Sequence, residues 1–89
     1  MAKSRAILPE ASLDSTKIFV GGIPFTVSST EFIRYFASYG KVKNFILPAD
    51  LQQKTLNCGY GFVNYRDYES LSSLLGEGRH FLRAKEVIL

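Results

Sequence analysis

A single cysteine and a single histidine are all that the 89 residues offer as thiolate or imidazole ligands. An internal disulfide is therefore impossible, a four-ligand Cys/His zinc site cannot be assembled, and no cofactor is implied. A reducing, intracellular setting, nuclear or cytoplasmic, is the expectation. No apolar run approaches the roughly 18 residues of a membrane span. The first residues carry no signal-peptide core, so no membrane partner is expected. Internal repeats and low-complexity tracts are missing, as is any Gly-rich phosphate loop ending in Lys-Ser/Thr. His80, between Arg79 and Phe81, has no nucleophile or acid-base partner in its vicinity and reads as a structural or surface histidine. The chain is not expected to be an enzyme. Charge of one sign is also in short supply: 11 basic and 8 acidic residues leave a net +3. That balance is compatible with a nucleic-acid partner without requiring one.

What is present centres on Cys58 to Tyr65, Cys-Gly-Tyr-Gly-Phe-Val-Asn-Tyr. Each glycine in a strand costs roughly 0.5–1 kcal/mol of backbone freedom, which suggests that the strand serves something beyond filling a core. With a period of two, Cys58, Tyr60, Phe62 and Asn64 share one face, and Gly59, Gly61, Val63 and Tyr65 the other. If Val63 and Tyr65 enter the core, Tyr60 and Phe62 stand side by side on the opposite face, as a stacking platform or as rings under a covering layer.

Residues 1 to 15 read as a flexible leader, with Lys3 and Arg5 as potential phosphate contacts, and one domain follows over residues 16 to 89. Lys17 to Gly21 is a predicted strand with Ile18 and Val20 on one face and Lys17 and Phe19 on the other. Ser28 and Glu31 form a capping-box pattern ahead of the helical stripe Phe32, Ile33, Phe36 and Tyr39, which Gly40 stops. Val42 to Leu47 is a second strand, with Phe45 and Leu47 inward and Asn44, Ile46 and Pro48 outward. After the strand ending at Tyr65, Asp67 caps a second helix, Tyr68 to Leu75, whose buried side is expected to be Leu71, Leu74 and Leu75. Arg79 to Ala84 is a basic connection that can hold a short strand, and Lys85 to Leu89 is the last strand. The order β-α-β-β-α-β gives a ferredoxin-like α+β fold, one four-stranded antiparallel sheet with both helices on one face. Two helices cover only one face, so Phe19, Tyr60 and Phe62 are left on the other, a large apolar patch with no structural role.

These residues resemble the RNA-recognition-motif family. Gly59-Tyr60-Gly61-Phe62-Val63-Asn64-Tyr65 matches its long signature and Ile18-Phe19-Val20-Gly21-Gly22-Ile23 its short one. The resemblance covers residues 16 to 89 and is nearest to the branch of heterogeneous nuclear ribonucleoproteins, Musashi and DAZ-like proteins. It implies that Phe19 and Tyr60 each stack on a base of single-stranded RNA and that Phe62 packs against the sugars between them. Lys17, Asn44, Asn64 and the backbone around Lys85 would reach base edges, with Asn64 equally readable as a tolerated polar side chain on a wet strand. Relatives carry a basic residue where Cys58 stands, a basic loop where Lys54 is nearly alone, and a basic tail beyond the position of Leu89. The implied binding is weak for the isolated domain, with shallow salt dependence. Single-stranded DNA is an equivalent partner on these residues. A protein-interaction module, marked by an apolar patch around Tyr35, Tyr68 and Leu51, is the alternative function, and a monomer is the expected state.

Overall fold

Alternation of Ile18 and Val20 against Lys17 and Phe19 is realised as strand β1 (Lys17–Gly21) in the computed structural model of the protein, which describes residues 16–89. The leader expected over residues 1 to 15, with Lys3 and Arg5, lies outside the described residues. Helix α1 (Ser29–Ala37) begins where Ser28 Oγ accepts from the Glu31 backbone N–H at 3.1 Å, and it buries Phe32 and Phe36. Strands β2 (Val42–Ile46) and β3 (Tyr60–Tyr65) follow. Helix α2 (Tyr68–Gly76) is capped by Asp67, whose Oδ1 accepts from both the backbone N–H and the hydroxyl of Ser70 at 2.8 Å. This helix buries Ser70, Leu71 and Leu74 and leaves Leu75 half exposed. The expectation that Leu75 is buried is thereby corrected: the inward stripe is Ser70, Leu71 and Leu74, centred near Leu74, and Leu75 falls some 100° further round the helix. A short hairpin, β4 (His80–Leu82) and β5 (Lys85–Val87), completes the chain.

Strands β1, β3 and β2 form an antiparallel sheet with β3 in the centre. The hairpin extends it beyond β1 through Ile88, which exchanges two backbone hydrogen bonds with Gly21 at 2.6 and 2.9 Å. One layer of side chains from the sheet and hairpin (Val20, Val63, Tyr65, Leu82, Val87) meets Phe32, Phe36, Leu71 and Leu74 of the helices to form the core. His80 belongs to this packing. Buried, it bonds the Leu74 carbonyl through Nε2 at 2.7 Å, so that Nδ1 is left to accept from the Tyr35 hydroxyl at 2.6 Å. No helix among the described residues is long and apolar enough to cross a membrane.

The glycines of β3 have a different reason from the one the sequence suggests. A Cβ on Gly61 would lie 2.5 Å from the Ile46 carbonyl oxygen and 3.3 Å from the Phe32 ring, so the glycine makes room first for the β2 backbone and then for α1. Gly59 adopts φ +91°, which is why the strand starts at Tyr60 rather than Cys58. Both serve the helix side and the turn; neither by itself points to a ligand.

The polar groups that hold the fold also set its pH limits. Burial, assisted by the neighbouring Tyr39 hydroxyl, pushes the Tyr35 phenol up from 10.0 to about 12, and burial raises Tyr65 as well. Hydrogen bonds from Arg83, from the Gln53 amide, from the Ser70 amide and from Arg79 hold the carboxyls of Glu31, Asp50, Asp67 and Glu86, respectively, below their usual values. A raised phenol contributes stability that is complete below the unfolded value near 10.0 and is lost as pH climbs towards 12. A depressed carboxyl contributes stability present above 3.8–4.5 and lost as pH falls through the folded value. Urea midpoints measured from pH 2 to 12 are expected to drop below about pH 4 and again above about pH 10. A midpoint that does not fall between pH 10 and 12 would contradict the inward packing of Tyr35 and Tyr65.

Candidate functional site

Cross-strand register arranges the face opposite the helices as rows. Phe19 of β1, Phe62 of β3 and Ile46 of β2 form one row, and Lys17, Asn64 and Asn44 form the next. Tyr60 faces Gly21, which bears no side chain, so its ring lies open beside Phe19. The three rings form one cluster: Phe19 and Tyr60 are near-parallel with centroids 6.1 Å apart, while Phe62 stands edge-on to Phe19 at 5.2 Å. Phe19 is 47% and Tyr60 41% exposed, Phe62 less so. Two near-parallel, accessible rings on neighbouring strands offer flat apolar surfaces to planar ligands, and the third ring braces the first.

Among the polar candidates the structure separates neighbours. Lys17 holds its ammonium 5.3 Å from the Phe62 centroid, a cation over a ring at the margin of the cluster. Asn44 is exposed and its amide has no hydrogen-bond partner among the described residues. Asn64, directly between them, is only 9% exposed, and its Oδ1 accepts from the Thr16 hydroxyl at 2.8 Å. Rather than lying on a wet strand, Asn64 spends its acceptor on fastening the start of β1.

Cys58 sits just before β3 with an exposed thiol that donates to the Ala49 carbonyl at 3.3 Å. Lys54 is exposed in the preceding loop, which Asp50 organises by accepting from the Gln52 and Gln53 amides. Lys85 alternates with Glu86 and so lies on the Val87 side of β5, the side turned towards the helices, away from the rings. Of the sequence candidates, Phe19, Tyr60, Phe62, Lys17 and Asn44 come together; Cys58 and Lys54 lie in the segment leading into β3, and the Lys85 side chain alternates away from the rings.

Two contributors went unrecognised in the sequence. Ile46, 54% exposed, extends the ring row onto β2, and its alternation with Phe45 already placed it on that face. Asn57 fixes the chain leading into β3. It is buried and donates from Nδ2 to the Pro24 and Val27 carbonyls, both at 2.9 Å, while its Oδ1 accepts from the Gly59 amide. Nothing in its local sequence signals those partners, which lie 30 and 33 residues away. Among the described residues, no group of three His, Cys, Asp or Glu side chains could hold a metal ion.

Comparison with known proteins bears on the same residues. A family profile described as RNA recognition motif matches residues 18–80. Heterogeneous nuclear ribonucleoprotein 1 of Arabidopsis thaliana is 36% identical over 84 residues, 94% of this chain and 20% of that protein. DAZ-associated protein 1 of Homo sapiens is 33% identical over 73 residues, 82% of this chain and 18% of its own length. The chain thus spans about a fifth of the length of these relatives. Among solved structures, the Rna15 RRM with bound RNA (GU) superposes with a TM-score of 0.73 at 23% identity, over 81% of this chain and 77% of that one. The RNA-binding domain of Hrp1 in complex with RNA gives 0.71 at 24% identity, over 83% and 43%. Those two likenesses are of fold.

Proposed function

Because the chain belongs to the RNA recognition motif family, we propose that it binds single-stranded RNA on the uncovered face of its sheet, with one base on Phe19, another on Tyr60, and Phe62 against the sugars between them. The observation that carries this reading is the ring cluster on β1 and β3, in which the exposed Phe19 meets both the exposed Tyr60 and the partly buried Phe62. Such a cluster exposes apolar area without stabilising the fold, and bases stack on it whatever their identity. Two solved proteins of this fold hold RNA, one of them described as RNA (GU).

Selection among bases falls to groups at the margin of the platform. Asn44 offers a donor and an acceptor side by side, as the Watson–Crick edge of a base requires. Lys17 reaches a phosphate or a base carbonyl from over Phe62. Asn64 acts indirectly, by holding Thr16 and the start of β1. Stacking alone admits single-stranded DNA as well. Against the protein-interaction alternative, Tyr35 turns its hydroxyl inward to His80, which leaves Tyr68 and Leu51 without the third member of that patch. A nuclear or cytoplasmic setting accords with relatives described as heterogeneous nuclear ribonucleoproteins.

Phosphate contacts are few on this face. Cys58 brings a thiol bonded to Ala49 instead of a fixed charge, and Lys85 points away. Binding to a random-sequence RNA pool, followed by anisotropy from 50 to 300 mM salt, is expected to be weak and to lose affinity with a slope equivalent to fewer than about six released ions. A steeper slope would mean that phosphates, not rings, carry the complex. No binding to the pool at any salt would refute the proposed function.

A further inference from the structure

We propose that the stacking surface continues past β1 onto the hairpin, where Phe81, flanked by Arg79 and Glu86, forms a further station for single-stranded RNA. This rests on the reading of the open face as an RNA platform. Gly21 and Ile88 exchange both backbone hydrogen bonds, so they are directly opposed and their side-chain positions share a face. By alternation that is the face of Phe19. Ile88, 67% exposed, therefore stands on the platform side, and so does Glu86 two residues earlier. Phe81 opposes Glu86 in the hairpin register and is 45% exposed, whereas His80, Leu82 and Val87 turn inward and are buried.

Exposed apolar side chains thus stand on this face of every strand in successive rows: Ile46, Phe62 and Phe19 in one, Ile88 beside Gly21 in the next, and Phe81, opposite Glu86, beyond it. One exposed ring on an edge strand is ordinary. Here the ring shares the face of Phe19 and Ile88, and a planar cation is oriented over it. The Arg79 guanidinium lies 5.4 Å from the Phe81 centroid and is held by Glu86 through Nε at 3.2 Å and Nη2 at 2.9 Å. A base on Phe81 would bring its phosphate within reach of Arg79. Glu86 opposes that step twice, by occupying the guanidinium and by repelling the phosphate. RNA arriving at Phe81 must take Arg79 from Glu86, so the ion pair tunes the affinity of this flank.

Two strand spacings, about 10 Å, separate β1 from β4. A dinucleotide seated on Phe19 and Tyr60 does not reach Phe81; a hexanucleotide does. The test uses the 89-residue chain with random-sequence dinucleotide and hexanucleotide RNA pools, each titrated by NMR. Phe81→Ala and Phe81→Leu are expected to weaken the hexamer about fivefold or more and to leave the dinucleotide unchanged, the leucine variant separating ring stacking from apolar bulk. Glu86→Gln is expected to tighten the hexamer and to steepen its salt dependence by about one ion, because Arg79 is released to phosphate. Equal losses on both lengths, or hexamer binding indifferent to Phe81→Ala and Glu86→Gln, would overturn the extension. If Phe19→Ala still weakens binding to both pools in that case, the platform itself survives. If the unaltered chain binds neither pool, platform and extension fall together.

Discussion

Alanine at Phe19 is expected to weaken RNA binding by roughly 5- to 150-fold, and alanine at Tyr60 by a similar factor, the equivalent of about 1–3 kcal/mol for each stacked base. The two losses should not simply add. The rings lie 6.1 Å apart and Phe62 stands against Phe19, so removing one lets its neighbour relax and changes what the other can offer a base. Stability should change little, since both side chains are more than two-fifths exposed and neither belongs to the buried core. This separates the prediction from general damage: affinity falls while the urea midpoint stays close to that of the unaltered chain. Phe19→Tyr and Tyr60→Phe keep a flat ring and should keep most of the affinity. Enrichment from a random RNA pool that survives both alanine substitutions would mean that another surface binds.

Asn57→Asp, a change of one NH₂ to one oxygen, is expected to cost about 3–5 kcal/mol of stability at neutral pH. The new oxygen would face the Pro24 and Val27 carbonyls that now accept from Nδ2, replacing two hydrogen bonds by two repulsions at a site only 5% exposed. A small domain has about 5–15 kcal/mol in total, so the loss is a large share. The side chain could escape by staying protonated, since a neutral carboxyl can donate to one of the two carbonyls. Its folded pKa would then be raised, and the penalty should be smaller near pH 4 than near pH 7. Denaturant titrations of both proteins at the two pH values check this. A variant within 1 kcal/mol of the parent at pH 7 would show that Asn57 does not join the β1–α1 loop to β3 as described.

Much of this architecture could be read from neighbouring residues because the forces that specify it are local. Ser28 and Asp67 cap helices within their own first turns, and period-two alternation assigned Phe19, Tyr60, Phe62, Asn44 and Ile46 to one face. What escaped depends on distant pairing. The acceptor of Asn64 is taken by Thr16, 48 positions away. Glu31 serves its helix cap and also binds Arg83, 52 positions away, through contacts of 2.8–3.1 Å. Lys85 could be oriented only once β5 was registered against β4, and the place of Ile88 on the ring face only once its pairing with Gly21 was known. The β3 glycines teach a related lesson. Their spacing was legible, but their cause lies in the closeness of the Ile46 carbonyl and the Phe32 ring to Gly61 and in a positive φ at Gly59, neither of which a strand pattern contains.

Which face of the sheet meets RNA is the question on which the rest depends, and chemical-shift mapping of the ring and amide signals during titration with a random RNA hexamer answers it directly. The predicted result is large shifts for the rings of Phe19, Tyr60 and Phe62 and the amides of β1 and β3, with Tyr68, Leu75 and the outer faces of α1 and α2 unmoved. Shifts concentrated on the helices, with the three rings silent, would contradict it.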